Sequence, residues 1–395
     1  MHLKKYHLLK NLYVFAALVT LLSSFSVYKI PGLGVISVLL LLVAFLFSPR
    51  KKMWMSESRR EMMLFGIGWA CVYSISIFFN FCVPKIVAFL SLLYGILFLC
   101  LNKEIQRDII NKFVWALAII LFLSLIEFVV YQTTHVGVVI GHVTRTTDIR
   151  STYFVNLLFN IIRTDNLIQR FQSLADEPGR IGTLCGFLLF FTWKIHSLRF
   201  PFYIFLISGI LSFSLAFYIF LVVFSFVNFK INMRNVCLLV FVSFASFLII
   251  RNSLELLIIS RVEDTENIDN RTSETFDKYF EKAWKKGDLW FGVGVDNLPK
   301  QITMQIGNIQ EHGNAGAKKW IYEYGILSFI IIFIVYNSIY KLRRGKMEGY
   351  DWVFLLVYWM SFYQRASLNA PFELLAFLAM PIINIFNEDT VQNGN

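Results

Sequence analysis

Long uninterrupted apolar runs constrain this chain more than any other feature of its sequence. Residues 35–48, VISVLLLLVAFLFS, and residues 113–130, FVWALAIILFLSLIEFVV, approach the length that crosses about 30 Å of hydrocarbon. The chain is 57% hydrophobic and 16% charged, whereas a soluble domain of this size carries about 25% charged residues. These features predict an all-α fold, a polytopic transmembrane helical bundle that forms one integral membrane domain over residues 1–395.

About twelve candidate spans follow from the hydropathy pattern. They cover roughly residues 10–28, 31–48, 62–79, 83–101, 112–131, 179–193, 200–212, 213–228, 235–250, 320–340, 352–363 and 369–386. The apolar segment near 200–229 is too short for two full spans and too long for one, so we expect a break near SFSLAF at 212–217. Short, interrupted helices at membrane depth usually line a cavity, because unsatisfied backbone cannot face lipid.

The charges predict which connections share a side of the membrane. With the N-terminus and the tail, alternate connections hold 19 Lys and Arg residues against 8 Asp and Glu residues, which accounts for the whole net charge of +11. This positive-inside asymmetry predicts that both termini are cytoplasmic. The two long connections, 132–178 and 251–319, are then the first and second large external loops.

Each external loop contains one amphipathic segment. In STYFVNLLFNIIRTDNLIQRF (151–171) and SETFDKYFEKAWKKG (273–287), apolar residues recur near helical spacing, so we expect both loops to be helical. Phe276, Phe280, Ala283 and Trp284 form one stripe in the second segment, and Gly287 is its expected stop. Such helices either lie on the outer membrane surface or pack on the bundle.

Several classes of function are disfavoured by the same residues. The basic excess marks topology and forms no single patch or recognition motif, so a nucleic-acid partner is not expected. The five cysteines have no paired spacing, which argues against a disulfide framework or a zinc site. No acidic cluster has metal-ligand spacing, so we expect neither a metal nor another cofactor.

One candidate site lies in LADEPGRIG, residues 174–182, where charged residues stand directly before an apolar run. Pro178 suits the first position of a helix, and the acids Asp176 and Glu177 would then face the positive end of the helix dipole. Arg180 fits this capping account poorly, because a cation opposes the dipole there. An arginine at an outer membrane edge invites an anion such as a lipid phosphate. Capping and a reaction site remain open alternatives.

The second external loop holds further candidates. Arg271 opens its amphipathic segment, and Gly292 and Gly294 in FGVGVDN permit a tight turn with exposed backbone N–H groups. His312 lies in EHGNAG shortly before the next span, where it is either an ordinary surface residue or a base. Glu323 follows inside that span, where an ionisable group is costly and is either functional or a dipole-satisfying acid.

Glu127, near the outer end of the fifth candidate span, has the same ambiguity as Glu323. Both acids lie toward the ends of their spans. Transporters more often place such residues near the midplane and show related half-chains. A lipid-linked sugar flippase or transporter is nevertheless kept as the alternative from a different class.

The order of these motifs resembles a known family. SLADEPGRIG at the opening of a span, LSFSLAFYI in mid-chain, and then DNRTSETF, LWFGVGVDN, EHGN and YEYGILS resemble the bacterial O-antigen polymerase and O-antigen ligase superfamily. The resemblance covers about residues 170–330 in motif order and the whole chain in topology. It implies a polytopic glycosyltransferase of the bacterial inner membrane that uses undecaprenyl-diphosphate-linked sugars.

The resemblance also implies roles for individual residues. Arg271 matches an arginine that holds the lipid diphosphate, and His312 matches a histidine proposed as a base or positioning group. Glu177 matches the glutamate of the family's EPG element, and Arg170 matches the arginine upstream of it. Two departures from the family pattern stand out. SFSLAF lacks the arginine that many members have there, and the ligase His-Asn pair is replaced by His312, Gly313 and Asn314.

Together these features predict a metal-independent glycosyltransferase, with polymerase activity favoured over ligase activity because the His-Asn pair is broken. Fixed arginines would stabilise the charge on the leaving phosphate, and His312 or Glu177 would accept the proton of the incoming hydroxyl. The expected partners are undecaprenyl-diphosphate-linked glycan donor and acceptor, membrane lipid, and a chain-length regulator and flippase.

Overall fold

A computed structural model describes scattered residues between 11 and 43, and then residues 59–81, 86–144, 152–163, 170–175, 177–228, 274–294, 316–364, 371–384 and 386. This part of the chain is mostly helical. Three of its helices, Arg59–Asn80, Lys103–Thr134 and Ile326–Arg344, are long and apolar enough to cross a membrane. The fold is therefore compatible with a membrane protein. The count of about twelve spans stays a prediction, since residues 229–273 lie outside the described part.

The described helices and strands are labelled here in chain order. They are α1 (Arg59–Asn80), α2 (Ile86–Leu99), α3 (Lys103–Thr134), β1 (Val139–Thr144), β2 (Thr152–Asn156), β3 (Ile161–Arg163), α4 (Pro178–Trp193), α5 (Arg199–Leu211), α6 (Leu215–Asn228), α7 (Glu274–Lys286), α8 (Gly316–Tyr324), α9 (Ile326–Arg344), α10 (Gly349–Gln364) and α11 (Pro371–Ala379). Short 3₁₀ turns follow α4, α7 and α11 at His196–Leu198, Asp288–Trp290 and Met380–Ile382.

Several helix boundaries confirm the sequence reading. Helix α4 begins at Pro178, whose missing N–H is not needed in the first turn. The break expected near 212–217 falls between α5 and α6, which end and begin at Leu211 and Leu215. Helix α7 stops before Gly287, which has φ +81°, and glycine adopts this left-handed conformation without a steric penalty.

The connection that was predicted to be the first external loop forms strands, and not a helix, in the described residues 152–156 and 161–163 of its amphipathic segment. Residues 139–144, 152–156 and 161–163 form a three-stranded antiparallel sheet in the order β1-β2-β3. The prediction was wrong because a short apolar run does not distinguish a strand from a helix by periodicity. The β-branched and aromatic residues of TYFV at 152–155 favour a strand, and the chain reverses at 157–160 before β3.

The span predicted at 320–340 is also broken. Gly325, with φ +90° and ψ 160°, separates α8 from α9, so the candidate span begins at Ile326. Glu323 consequently lies near the end of α8 instead of inside the first turn of a span. Gly325 is required at this break because an added Cβ would lie 2.5 Å from the carbonyl carbon of Phe291.

The helices approach one another through small residues. A Cβ added at Gly186 of α4 would lie 2.2 Å from the Phe220 ring of α6, and one at Gly68 of α1 would lie 2.6 Å from Val335 of α9. Within lipid, helices associate through close packing and interhelical hydrogen bonds, because lipid is as apolar as the helix surfaces. The glycines therefore allow the aromatic side chains of neighbouring helices to fill the interface.

One end of the bundle is held by buried charge. The Arg343 guanidinium donates to Glu61 Oε2 at 2.8 Å and to the side-chain oxygen of Gln106. The Gln106 amide in turn donates to the carbonyls of Phe98 and Leu101, each at 2.9 Å. These contacts bring together the N-terminal ends of α1 and α3 and the C-terminal end of α9. All three ends adjoin connections that the charge pattern assigns to the cytoplasm.

Candidate functional site

Arg170 connects the first external loop to the turn between α5 and α6. Its Nε donates to the Ser212 carbonyl at 3.1 Å and its Nη2 donates to the Phe213 carbonyl at 2.8 Å. The adjacent Phe171 N–H donates to the Leu211 carbonyl at 3.0 Å. Two hydrogen bonds from one planar guanidinium fix its orientation, so Arg170 is a positioned cation and not a mobile surface side chain.

The first turn of α4 packs on the same 212–214 turn. A Cβ added at Gly182 would lie 2.4 Å from Ser214 Cβ and 2.7 Å from Ser212 Oγ. Only glycine allows this approach, and it brings the two motifs LADEPGRIG and LSFSLAF into direct contact. Arg170 and the start of α4 therefore flank one pair of serines.

Glu177 and Arg180 lie at the start of α4. Glu177 is the N-cap residue, with φ −143° and ψ 138°, and its side chain makes no capping hydrogen bond. Its carbonyl accepts from the Arg180 N–H at 3.0 Å. Glu177 is exposed and Arg180 is half-buried. Glu177 therefore occupies the N-terminal end of α4, where its charge faces the positive end of the helix dipole, without a capping hydrogen bond from its side chain.

Two non-glycine residues beside this site have left-handed backbone. Ser173 has φ +44° and Phe213 has φ +46°, a conformation that is uncommon for residues with a Cβ. Ser173 is fully buried, and its hydroxyl has no hydrogen-bond partner among the described atoms. Strained backbone of this kind persists only where the surroundings fix it, and it is concentrated at functional sites. We refer to Arg170, Ser173, Glu177, Arg180, Ser212 and Ser214 as the rim site.

Gly292 and Gly294 belong to a second group, in the second external loop. The Val293 N–H donates to the Tyr322 carbonyl at 2.7 Å and the Gly294 N–H donates to the Glu323 carbonyl at 3.2 Å. A Cβ on Gly292, which has φ +85°, would lie 2.7 Å from the Glu323 carbonyl oxygen. The predicted exposed N–H group of Gly294 is thus paired with backbone, and the glycines serve close packing of the loop on α8.

Charged side chains complete this second group. Lys318 forms an ion pair with Asp277 at 3.0 Å, which joins α8 to α7. The Glu323 carboxylate lies 3.9 Å from Lys319 Nζ. Burial raises the pKa of Tyr322 to about 12, and nearby Tyr279 and Asp288 act in the same direction. Tyr322 is therefore a neutral phenol at physiological pH.

The second loop is fixed to the end of α1. The Asn80 side-chain amide donates to the Phe291 carbonyl at 3.1 Å, and the rings of Phe79 and Phe291 stack with their centroids 4.0 Å apart. An open depression of about 370 Å³ lies at this junction, lined by Phe79, Asn80, Lys286, Gly287, Asp288, Phe291, Gly292 and Val293. Its lining combines aromatic rings with an ammonium, an amide and a carboxylate.

Both groups lie at the end of the bundle opposite the Arg343 ion pair. Helix α3 contacts Arg343 through Gln106 and contacts Phe171 through Phe128, with ring centroids 5.5 Å apart. These two α3 positions are separated by about 33 Å along the helix. In the same way α1 meets Arg343 at Glu61 and meets Phe291 at Phe79.

Three of the predicted site residues, Arg271, His312 and Asn314, lie outside the described residues. Of the others, Arg170 contacts the 212–214 turn on which α4 also packs, and Glu177 and Arg180 lie at the start of that helix. Gly292, Gly294 and Glu323 belong to the junction of α8 with the loop. Within the described part of the chain, no group of three or more His, Cys, Asp or Glu residues could hold a metal ion.

Ser173, Ser212 and Ser214 are part of the rim site but were not predicted as site residues. The repeated small residues in LSFSLAF were a signal for close packing, since Ser214 lies against Gly182. The left-handed backbone of Ser173 could not be predicted, because the local sequence QSLAD has no glycine or asparagine at that position. Comparison of the whole chain with models of known protein families and with curated proteins gives no match.

Proposed function

We propose that the chain is a polymerase that joins undecaprenyl-diphosphate-linked oligosaccharide repeat units at the periplasmic side of a bacterial inner membrane. The observation that carries this proposal is the rim site, where Arg170 is oriented by two carbonyls beside the first turn of α4. The resemblance in motif order points to the same residues. In this proposal the bundle has about twelve spans, both termini are cytoplasmic, and the rim faces the periplasm.

The chemistry requires a fixed cation where negative charge develops. Transfer of a glycan from a lipid diphosphate breaks the bond between the sugar and the phosphate and leaves the negative charge on the diphosphate. Arg170 and Arg180 would stabilise that charge, as fixed donors do in preorganised sites. The incoming sugar hydroxyl loses a proton, which Glu177 or His312 would accept. Arg271 would contribute a further cation from the second loop.

Sidedness supports this arrangement. The charge pattern predicts that the connections next to Glu61, Gln106 and Arg343 are cytoplasmic. These residues meet at the end of the bundle opposite the rim site. The rim site would then face the periplasm, where lipid-linked repeat units are joined. Membrane lipid surrounds the bundle, and a chain-length regulator and a flippase are the proposed protein partners.

The decisive experiment compares surface glycan from a deletion strain with glycan from strains complemented with variants. If the deletion strain loses the long glycan chains but retains single capped repeats, the result would support a polymerase. Lipid-linked polymer that accumulates instead would identify a ligase, and repeat units trapped on the cytoplasmic leaflet would identify a flippase. Either of these outcomes would overturn the proposal.

Single substitutions then test the residues. Arg170→Gln and Arg271→Ala should each remove the long chains while leaving single-repeat glycolipid, because each removes a phosphate-binding cation. Lys285→Gln is the matched control, since this lysine is highly exposed and its ion pair with Glu281 is at 4.0 Å. A normal polysaccharide ladder from well-expressed Arg170→Gln and Arg271→Ala variants would contradict the assignment.

A further inference from the structure

The sheet formed by β1, β2 and β3 is attached to α3 well before the C-terminal end of that helix. The Glu127 carboxylate accepts from the Leu158 N–H at 3.0 Å and from the Asn160 N–H at 3.2 Å. One turn earlier, the Ser124 hydroxyl donates to the Phe159 carbonyl at 3.2 Å. The turn between β2 and β3, residues 156–160, therefore lies beside α3 about two to three helical turns before the last residue of that helix, Thr134.

The length of α3 fixes the depth of this turn. After Lys112 the helix has Glu127 as its only charged residue up to Thr134. About 20 residues cross the hydrocarbon, so the apolar part extends from Phe113 to about residue 132. At 1.5 Å per residue, Glu127 lies about 8 Å inside that boundary and Ser124 about 12 Å inside. The turn bound to them lies at the same depth.

The backbone of the turn is satisfied as hydrocarbon requires. All five N–H groups from Asn156 to Asn160 have protein acceptors: two on Glu127, and the carbonyls of Asn160, Val138 and Asn156. A turn in water leaves such groups to solvent, whereas backbone at membrane depth must find its partners within the protein. Glu127, whose role was open from the sequence, supplies two of them.

In the turn and at the start of β1, polar side chains are buried and apolar side chains are exposed, which is the reverse of a turn in water. Asn156 and Asn160 are completely buried, while Leu157 is 54% exposed. Three consecutive apolar residues at the start of the sheet, Val138, Val139 and Ile140, are each at least 50% exposed. In a soluble turn the asparagines would face solvent and the apolar residues would be covered.

The outer surface of α3 is also apolar along this part of the helix. Ile126, Val129 and Val130 of that helix are 43%, 54% and 46% exposed. They precede His135, where α3 ends, by one to three turns. The exposed face of a candidate membrane span contacts acyl chains. The turn that contains Leu157 is bound to Glu127 at the same depth, and the Val138 carbonyl accepts from the Leu157 N–H at 3.0 Å.

We propose that the β1–β3 sheet is embedded in the bilayer leaflet around the C-terminal end of α3, with the 156–160 turn inserted beside the helix. Leu157, Val139 and Ile140 contact acyl chains in this arrangement. Glu127 and Ser124 satisfy the polar backbone that would otherwise oppose insertion. The inference requires that α3 crosses a membrane but does not depend on which reaction the chain catalyses.

Depth-dependent quenching tests the proposal in the full chain reconstituted in phosphatidylcholine and phosphatidylglycerol vesicles. A fluorophore is attached to a single cysteine introduced at Leu157 or Ile140, in a background whose five native cysteines are replaced by alanine. A cysteine at Val129 is the control for lipid contact, and a cysteine at Lys285 is the control for water. We expect nitroxide-labelled lipid to quench positions 157 and 140 as strongly as 129, and aqueous iodide to quench only 285.

Iodide quenching at 157 and 140 equal to that at 285 would overturn the proposal. A second measurement avoids replacing the native cysteines: a photoreactive amino acid at 157 should form adducts with lipid, detected by mass spectrometry. A crosslink to a second copy of the chain or to another protein would identify a protein docking edge instead and would also overturn it. Glu127→Leu should increase iodide access at 157 several-fold, and Glu127→Gln, which keeps an acceptor oxygen, should increase it less.

Discussion

The two ends of the bundle use charge in different ways. At the end that is predicted to be cytoplasmic, Arg343 is paired with Glu61, and Arg344 is paired with Asp351 at 2.9 Å. At the opposite end Arg170 is held by two backbone carbonyls beside strained residues. Neighbouring acids pair with the first set of arginines, whereas two backbone carbonyls orient the Arg170 guanidinium.

This difference indicates what each end does. A buried arginine paired with a carboxylate has its charge satisfied in the resting protein, so it stabilises helix contacts and offers little to a ligand. An arginine whose guanidinium is oriented by two carbonyls has the fixed geometry that recognition of an anion requires. We therefore interpret the Arg343 end as the fixed closure of the bundle, and the proposed function assigns the reaction to the rim site.

The largest expected effect on stability comes from breaking the buried ion pair between Arg343 and Glu61. Glu61→Ala leaves the Arg343 charge buried with its acidic partner removed, and breaking a buried pair in this way costs about 3–5 kcal/mol. The apparent melting temperature of the detergent-solubilised protein measures the loss. Glu348→Ala is the control, because Glu348 is 66% exposed and 3.8 Å from Arg344, and exposed pairs are worth about 0–1 kcal/mol. Equal losses for the two variants would contradict the comparison.

The sequence predicted most of the helices because a long apolar run in a membrane forms a helix, which satisfies its own backbone hydrogen bonds. The start of α4 at Pro178 could be predicted because proline suits the first turn of a helix. The break at 212–214 could be predicted because the apolar segment 200–229 is too short for two full spans. The sheet formed by β1, β2 and β3 was not predicted, since the turn that joins β2 to β3 is held by distant residues of α3, including Glu127. The break at Gly325 was missed for a similar reason: it depends on Gly292, a close approach between residues far apart in the chain.

For the candidate site, the sequence predicted the first turn of α4 and Arg170 but not their shared contact. Neither LADEPGRIG nor LSFSLAF indicates alone that Gly182 packs on Ser214. That contact requires the α4–α6 packing to be known. Left-handed backbone at Ser173 and Phe213 is likewise a consequence of tertiary structure, because local sequence would have suggested Gly or Asn there.

The next largest effect is expected at the rim site. Gly182→Ala places a methyl 2.4 Å from Ser214 Cβ, and overpacking of this kind costs about 1–3 kcal/mol. We expect a lower apparent melting temperature together with loss of long glycan chains, since Arg170 is bound to the same turn. Gly66→Ala is the matched control, because its nearest neighbouring atom is 3.9 Å away. That variant should be neutral or slightly stabilised, as an Ala in a helix is favoured over Gly.

A smaller and local effect is expected in the second loop. Gly292→Ala combines positive φ with overlap on the Glu323 carbonyl, while Gly287→Ala has positive φ but nothing within 4 Å of the added carbon. We expect faster proteolysis of the loop for Gly292→Ala and a much smaller change for Gly287→Ala, whose cost is conformational only, about 1–2 kcal/mol. Similar cleavage rates would show that the packing of the loop on α8 contributes little.

The smallest effect concerns alkaline pH. Burial raises the pKa of Tyr322 from its ordinary value near 10 to about 12, so the folded loop keeps the phenol neutral while an unfolded loop loses the proton. The stability that Tyr322 contributes is fully present below pH 10 and is lost as pH rises from 10 through 12. Protease protection of the second loop should therefore decline over that range in the native chain. Tyr322→Phe keeps the ring but cannot ionise, so a variant that declined as steeply would show that another group controls the transition.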